Sequence, residues 1–135
     1  MSKMTVASLE PHIRSLTRVV VGFLFSLHGF QKLFGYFGGM GGKGGTADLF
    51  SLIGLAGVLE AFGGILIALG LFTRPVAFLL SGQMAFAYFQ AHAPRGFWPI
   101  QNGGELAALY CFVFLWYAAA GAGPWSLDRA IGRRS

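Results

Sequence analysis

Residues 57–75 read GVLEAFGGILIALGLFTRP, an apolar stretch that holds one carboxylate, Glu60, and then breaks at Thr73, Arg74 and Pro75. The apolar character extends upstream to about residue 49, so a helix here is long enough to cross the roughly 30 Å hydrocarbon core of a bilayer. Proline fits the first turn of a helix, and a second helix is therefore predicted to follow at once. The stretch predicts a helical hairpin in a membrane.

Composition extends this prediction to the whole chain. Of the 135 residues, 55% are hydrophobic and 11% are charged, and the mean hydropathy is +0.62. Soluble domains carry about 25% charged residues, so lipid is the expected solvent. We predict an all-α fold, a membrane four-helix bundle that forms a single transmembrane domain over residues 1–135. Its spans are expected at about residues 13–35, 49–72, 75–91 and 104–121.

The basic residues predict the orientation of these spans. The side with both termini and the turn after the second helix carries Lys3, Arg14, Arg18, Arg74, Arg129, Arg133 and Arg134. The opposite side carries Lys32, Lys43 and Arg95. Because basic loops stay in the cytoplasm, both termini are expected there, with an uncleaved first span. Basic residues spread over helix ends form no patch for nucleic acid, which is not an expected partner.

Two other features argue against particular chemistries. The single cysteine, Cys111, lies in an apolar run and excludes a dithiol exchange centre within the chain. The glycine-rich segment 36–46 lacks the spacing of a phosphate-binding loop.

Ionisable side chains at membrane depth each need a partner or a function. His28 and Lys32 lie four residues apart in the first helix and therefore share a face. Glu60 lies near the middle of the second helix, beside a stripe of small residues that lets another helix approach: Gly57, Ala61, Gly64 and Ala68. We predict catalytic roles for Glu60, His28 and Lys32.

A second polar group is expected at the outer ends of the third and fourth helices. Tyr88 and His92 share a face of the third helix, with Gln83 on a different face. Asn102 and Glu105 have the spacing of a capping box. We predict substrate-binding roles for Tyr88, His92, Trp98, Asn102 and Glu105. All are expected to converge with Glu60 on one cavity, which a substrate enters from the outer face between the two longer loops.

Two chemistries fit this set, and spacing does not choose between them. Two histidines and two carboxylates, His28, Glu60, His92 and Glu105, can ligate iron, copper or zinc. The same groups can instead carry protons to and from a quinone in a slot lined by Phe25, Tyr88, Trp98 and Tyr110. The predicted cofactor is therefore a quinone or a transition metal.

Three stretches resemble the DoxX family: HGFQKLFG at residues 28–35, GVLEAFGGILIALGLFTRP at 57–75 and HAPRGFWPIQNGGELAALYCF at 92–112. The resemblance implies a four-helix bacterial inner-membrane protein and redox work, since relatives include the membrane subunit of an archaeal thiosulfate:quinone oxidoreductase. The family's polar signature falls on His28, Lys32, Glu60, His92, Asn102 and Glu105.

Three functions are consistent with the sequence. The first is a membrane oxidoreductase component that works with a quinone or another lipid-soluble electron carrier. The second is a small proton-coupled transporter or permease that acts as an oligomer. The third is a non-enzymatic membrane assembly partner. The expected partners are the lipid bilayer, a quinone, and a second copy of the chain or a redox partner protein.

Overall fold

The computed structural model describes residues 4–133, so Lys3 and Arg134 of the orientation argument lie outside the described residues. Within that range the chain is helical, with one isolated bridge between Met40 and Gly45 and no strands. The all-α prediction is confirmed. The α-helices are α1 (Glu10–Phe34), α2 (Leu52–Leu69), α3 (Thr73–Ala87), α4 (Pro99–Asn102), α5 (Glu105–Ala120) and α6 (Leu127–Ala130).

Two helical segments are long and apolar enough to cross a membrane. The first joins a short 3-10 turn to α1 and spans Val6–Phe34, 29 residues. The second is α2, with 18 residues. Helix α5 is apolar but has 16 residues, which is shorter than a full span.

The start of α2 differs from the prediction. The helix begins at Leu52, about three residues later than expected, because Ser51 provides its N-cap. The Ser51 hydroxyl accepts a hydrogen bond from the backbone N–H of Gly54 at 3.1 Å. The Asp48 carboxylate accepts from the N–H of Phe50 at 3.1 Å and closes the preceding turn.

The third helix has the expected position but changes type near its end. Helix α3 is regular to Ala87 and continues as a π-helical turn, Tyr88–His92. The N–H of Ala93 donates to the carbonyl oxygen of Tyr88, which is the wider spacing of a π turn. The following segment, expected to be free of helix, contains a 3-10 turn at Ala93–Arg95 and the single turn of α4.

Helices α1 and α2 pack with their backbones in contact. A Cβ atom added to Gly29 would lie 2.2 Å from the backbone nitrogen of Ala61. One added to Gly22 would lie 2.3 Å from the backbone nitrogen of Ala68. The small residues predicted on α2 therefore meet glycines of α1, which the sequence analysis did not pair with them.

The remaining contacts connect this pair of helices to a second pair. Helix α3 packs along α5, and α2 also contacts α3. The Phe25 ring of α1 meets Tyr110 and Phe114 of α5 edge-on, with ring centroids 4.9 Å and 4.8 Å apart. These rings form the centre of the core, together with Ile67, Leu80 and Tyr117.

The outward faces of the longer helices are apolar. Phe62 of α2 is 62% exposed, Phe78 of α3 is 67% exposed and Phe112 of α5 is 69% exposed. Val19 and Phe23 are likewise exposed on α1. Soluble monomers rarely expose apolar surface on every side, so this surface suits a non-aqueous solvent.

At one end of the molecule, arginines bind the carbonyl groups that the helix ends leave free. Arg18 is 1% exposed, and its Nε donates to the carbonyl of Ile67 at 2.9 Å. Its Nη2 donates to Trp125 at 2.6 Å and its Nη1 donates to Ala122. Backbone carbonyls at a helix C-terminus need such donors when water is absent.

Two further arginines act on the C-terminus of α5. Arg14 donates to the carbonyl of Ala120, and Arg74 donates to that of Ala119. We refer to the end of the molecule that contains Arg14, Arg18, Arg74 and Asp128 as the arginine end.

The segment that follows the fourth expected span is also part of the fold, as far as residue 133. It forms α6, and the carboxylate of Asp128 is 2% exposed. Its two oxygens accept from the N–H groups of Phe72 at 2.7 Å and Thr73 at 2.9 Å. Phe72 has a φ of 53°, which is unfavourable for a residue with a side chain, and Asp128 holds it there. The tight turn between α2 and α3 therefore depends on α6.

Candidate functional site

A groove of about 950 Å³ lies between α2 and α3, with α1 and α5 contributing to its lining. Its buried lining residues, which form the floor, are Phe25, Glu60, Met84 and Tyr110. The exposed large apolar residues that α2 and α3 contribute to the lining, which form the rim, are Leu52, Ile53, Leu55, Phe78, Leu79 and Phe86. We refer to this site as the α2–α3 groove. Apolar walls with a few polar groups are typical of small-molecule sites.

An ion pair lies at the floor of the groove. Nζ of Lys32, in the last turn of α1, lies 2.9 Å from Oε1 of Glu60 on α2. The side chain of Glu60 is 7% exposed and that of Lys32 is 26% exposed. The prediction that Glu60 points inward is confirmed, and Lys32 is its partner.

The second carboxylate oxygen of Glu60 is unused. Oε2 is buried and has no hydrogen-bond partner among the residues that the structure describes. A carboxylate accepts several hydrogen bonds, and a buried acceptor without one is costly. The floor of the groove therefore offers an acceptor to a ligand.

His28 lines the groove one turn before Lys32. Its ring faces the Tyr110 ring edge-on, with centroids 6.2 Å apart. The structure thus brings the three predicted catalytic residues to one groove.

Gln83 of α3 also lines the groove, and the sequence analysis gave it no role. Within residues 4–133, neither its amide nitrogen nor its amide oxygen has a partner, and both atoms are buried. The sequence does carry a signal for Gln83, because a polar side chain inside an apolar span is rare unless it has a partner or a function.

His92 lies in the groove lining near the end of the π turn, and Asn102 holds it there. Nδ1 of His92 lies 3.2 Å from the carbonyl oxygen of Asn102. The Asn102 side chain is buried; it donates to the Tyr88 hydroxyl at 3.1 Å and accepts from the N–H of Gly104 at 2.8 Å. The Asn102 side chain therefore binds the backbone just before α5. Glu105 does not return a hydrogen bond, so the two residues do not form a capping box.

Four of the five predicted substrate-binding residues are not in the groove lining. Tyr88 and Asn102 bind each other beside it. Trp98 is 61% exposed and packs against Phe97. Glu105 is exposed in a separate shallow depression with Pro99 and Phe112. The rotation of α5 about its axis explains why Glu105 lies outside the groove, because the helix turns Leu106, Ala107 and Tyr110 toward the groove instead.

The predicted metal site is not assembled. Over the described part of the chain, no three side chains of His, Cys, Asp or Glu are grouped closely enough to hold a metal ion. His28 and Glu60 share the groove, but His92 is bound to Asn102 and Glu105 points away from all three. The structure therefore does not bring His28, Glu60, His92 and Glu105 together as one centre, and metal binding by this set stays a prediction.

Comparison with known proteins identifies the family. The DoxX family model matches residues 13–93, more than half of the chain. The chain belongs to the DoxX family. A protein of Haemophilus influenzae, described as an uncharacterized protein, is 48% identical over 128 residues, which cover 93% of this chain and 95% of the relative. No solved structure matches the chain.

The DoxX match includes the polar residues of the groove. His28, Lys32, Glu60, Gln83 and His92 all lie within residues 13–93. The third stretch that resembles the family, residues 92–112, lies beyond the matched range except for its first two residues.

Proposed function

We propose that this DoxX protein is one transmembrane domain of four spans in a bacterial inner membrane, with both termini in the cytoplasm. The apolar outward faces of α1, α2, α3 and α5 support this proposal. Helix α3 gains length from the π turn, since its 15 residues continue into five more. Among the basic residues within residues 4–133, Arg14, Arg18, Arg74, Arg129 and Arg133 lie at the arginine end or beside α6, against Lys32, Lys43 and Arg95 elsewhere, which supports the placement of this end on the cytoplasmic side.

We propose further that the protein is a membrane oxidoreductase component whose α2–α3 groove binds a quinone. The observation that carries the proposal is the Lys32–Glu60 pair at the floor of an apolar groove, where Oε2 of Glu60 has no hydrogen-bond partner within residues 4–133. Ionisable groups placed this deep are usually functional. Oxidation of a quinol to a quinone releases two electrons and two protons, and reduction takes them up. The electrons would pass to or from a redox partner protein, and the groove would accept or supply the protons.

The polar residues in and beside the groove discussed above each have a role in this proposal. Glu60 exchanges protons with the head group through Oε2, and His28 passes protons one turn away. Lys32 donates a hydrogen bond to the oxygen of the head group and holds Glu60 in position. His92 connects the groove to the outer face, and Tyr88 and Asn102 position it. Trp98 and Glu105 stay predicted substrate contacts at the outer surface, away from the groove.

The proposal is tested with purified protein in lipid nanodiscs. Oxidation of a decyl-tailed benzoquinol by ferricyanide is followed by absorbance. We expect Glu60→Gln to lower the rate by about 100-fold, the usual contribution of a positioned acid or base. Glu10→Gln is the matched control, because Glu10 is an exposed carboxylate at the opposite end of α1.

Other outcomes would overturn the redox proposal. If the wild type oxidises no quinol but drives Glu60-dependent proton uptake into liposomes, the transporter hypothesis is favoured. If neither activity is found and Glu60→Gln changes only thermal stability, the protein is an assembly partner.

A further inference from the structure

The α2–α3 groove opens toward the side of the molecule. Its rim residues lie on the outward faces of the two helices, with Leu52 58% exposed on α2 and Phe86 58% exposed on α3. In a membrane these positions face hydrocarbon. A ligand already dissolved in the bilayer can therefore reach the floor without crossing either loop.

The groove also offers two unpaired polar positions. One is Oε2 of Glu60, which accepts hydrogen bonds when ionised. The other is the amide of Gln83, which both donates and accepts and has neither partner among the described residues. The walls around them are apolar.

We infer that the α2–α3 groove admits a quinone with a hydrocarbon tail sideways from the bilayer, and that Gln83 binds its head group. The inference rests on the proposed function, and it names an entry route and a binding residue that the function alone does not require. This route differs from the entry between the two outer loops that the sequence suggested.

The chemistry of Gln83 fits both states of such a ligand. The amide nitrogen can donate to a quinone carbonyl, and the amide oxygen can accept from a quinol hydroxyl. Glu60, as a carboxylate, pairs only with the hydroxyl form. Gln83 therefore keeps the head group bound while its oxidation state changes. The apolar rim surrounds the tail, whose burial adds affinity with each methylene.

Gly82 gives a way to close the groove. It lies in the groove lining, and a Cβ atom added there meets no heavy atom within 4 Å. Gly82→Trp therefore fills the groove without displacing the backbone. Leu115→Trp is the matched control, because Leu115 is 45% exposed on α5 and is not a lining residue.

The test is photolabelling of the protein in nanodiscs by an azido derivative of a decyl-tailed benzoquinone. Competition by the unmodified quinone gives the half-saturation concentration, and peptide mass spectrometry locates the label. We expect label on α2 and α3 in the wild type and in Leu115→Trp. Gly82→Trp should abolish labelling. Gln83→Leu should raise the half-saturation concentration by about 10-fold, the effect of one or two hydrogen bonds. Thermal unfolding of each variant shows that the fold is retained.

Each result decides the inference or the redox proposal separately. The inference is overturned if the wild type carries no label. It is also overturned if Gly82→Trp and Gln83→Leu are both labelled as strongly as the wild type. Equal competition by a benzoquinone without a tail overturns the sideways entry. Labelling that follows the expected pattern without quinol oxidation supports the inference and overturns the redox proposal. Quinol oxidation that both variants leave unchanged overturns the inference alone.

Discussion

The arginine end and the α2–α3 groove both place polar groups among apolar helices, and the two regions differ in how these groups are hydrogen-bonded. At the arginine end, Arg18 divides its donors among backbone carbonyls, and Asp128 accepts from two N–H groups at the start of α3. In the α2–α3 groove, Oε2 of Glu60 and the Gln83 amide have no partner within residues 4–133. At the arginine end, Nε of Arg14 and the Thr73 hydroxyl also lack a hydrogen-bond partner over the same residues, so the contrast is between Arg18 with Asp128 and the groove groups. Buried polar groups are normally paired, so we infer that Arg18 and Asp128 serve the fold and propose that the groove groups bind a ligand. Removing Arg18 or Asp128 should therefore lower the stability, whereas removing an unpaired polar group of the groove should not.

The largest effect on stability is expected from Arg18→Leu. It leaves the carbonyls of Ala122 and Trp125 without donors and takes one of two donors from the carbonyl of Ile67, so the free energy of unfolding should fall by about 3 kcal/mol or more. Thermal unfolding in detergent measures the loss. Arg129→Leu is the control, because Arg129 is exposed in α6. A midpoint equal to the wild type would show that the arginine end does not hold the helices together.

Lys32→Met is expected to cost less, about 2 kcal/mol, because it leaves Glu60 unpaired while Lys32 itself is partly exposed. Adding Glu60→Gln to this variant should restore most of the stability, since the uncompensated charge is then removed. A double-mutant cycle of unfolding midpoints gives the coupling. Lys43→Met, in the exposed glycine-rich loop, is the control. A coupling near zero would contradict the pairing.

Asp128→Asn should lower the free energy of unfolding by about 1–2 kcal/mol. Asparagine keeps one acceptor oxygen, so one of the N–H groups of Phe72 and Thr73 loses its partner. Chemical denaturation in mixed micelles gives the difference. Asp48→Asn, at an exposed carboxylate, is the comparison, and equal losses at both positions would remove the special role of α6.

The smallest effect, with the opposite sign, is expected from Gln83→Leu. Replacing an unpaired buried amide by an apolar group of similar size should leave the free energy of unfolding unchanged or raise it by about 1 kcal/mol. The comparison is made in nanodiscs without added quinone. A clear loss of stability would mean that the Gln83 amide is satisfied within the protein, and the contrast between the two ends would then fail.

Local patterns allowed much of the fold to be predicted. The apolar runs located α1, α2, α3 and α5 within a few residues, and the small residues of α2 correctly indicated a close helix contact. Depth in an apolar run also identified Glu60, whose partner the structure shows to be Lys32. These features depend on helical spacing and on the cost of burying a charge, both of which can be read along one segment.

The missed features depend on contacts between distant segments. Arg18 was taken as an orienting charge, yet it binds carbonyls 49 and 107 positions later in the chain. Asp128 caps a helix that begins 55 positions earlier. Glu105 was expected at the site, but the rotation of α5 about its axis turns it outward. Such details depend on how helices pack, and helical periodicity alone does not determine them.

The turn at Phe72 has a mechanical consequence for the groove. Helices α2 and α3 are close near this turn, where Leu80 reaches Gly63, and the groove lies farther along. Glu60 lies 12 residues from Phe72, a lever arm of roughly 18 Å at 1.5 Å per residue. A ten-degree tilt about the turn would shift the helix beside Glu60 by about 3 Å, close to the thickness of an aromatic ring. We therefore expect the turn that Asp128 holds, at the far end of the molecule, to affect the width of the groove.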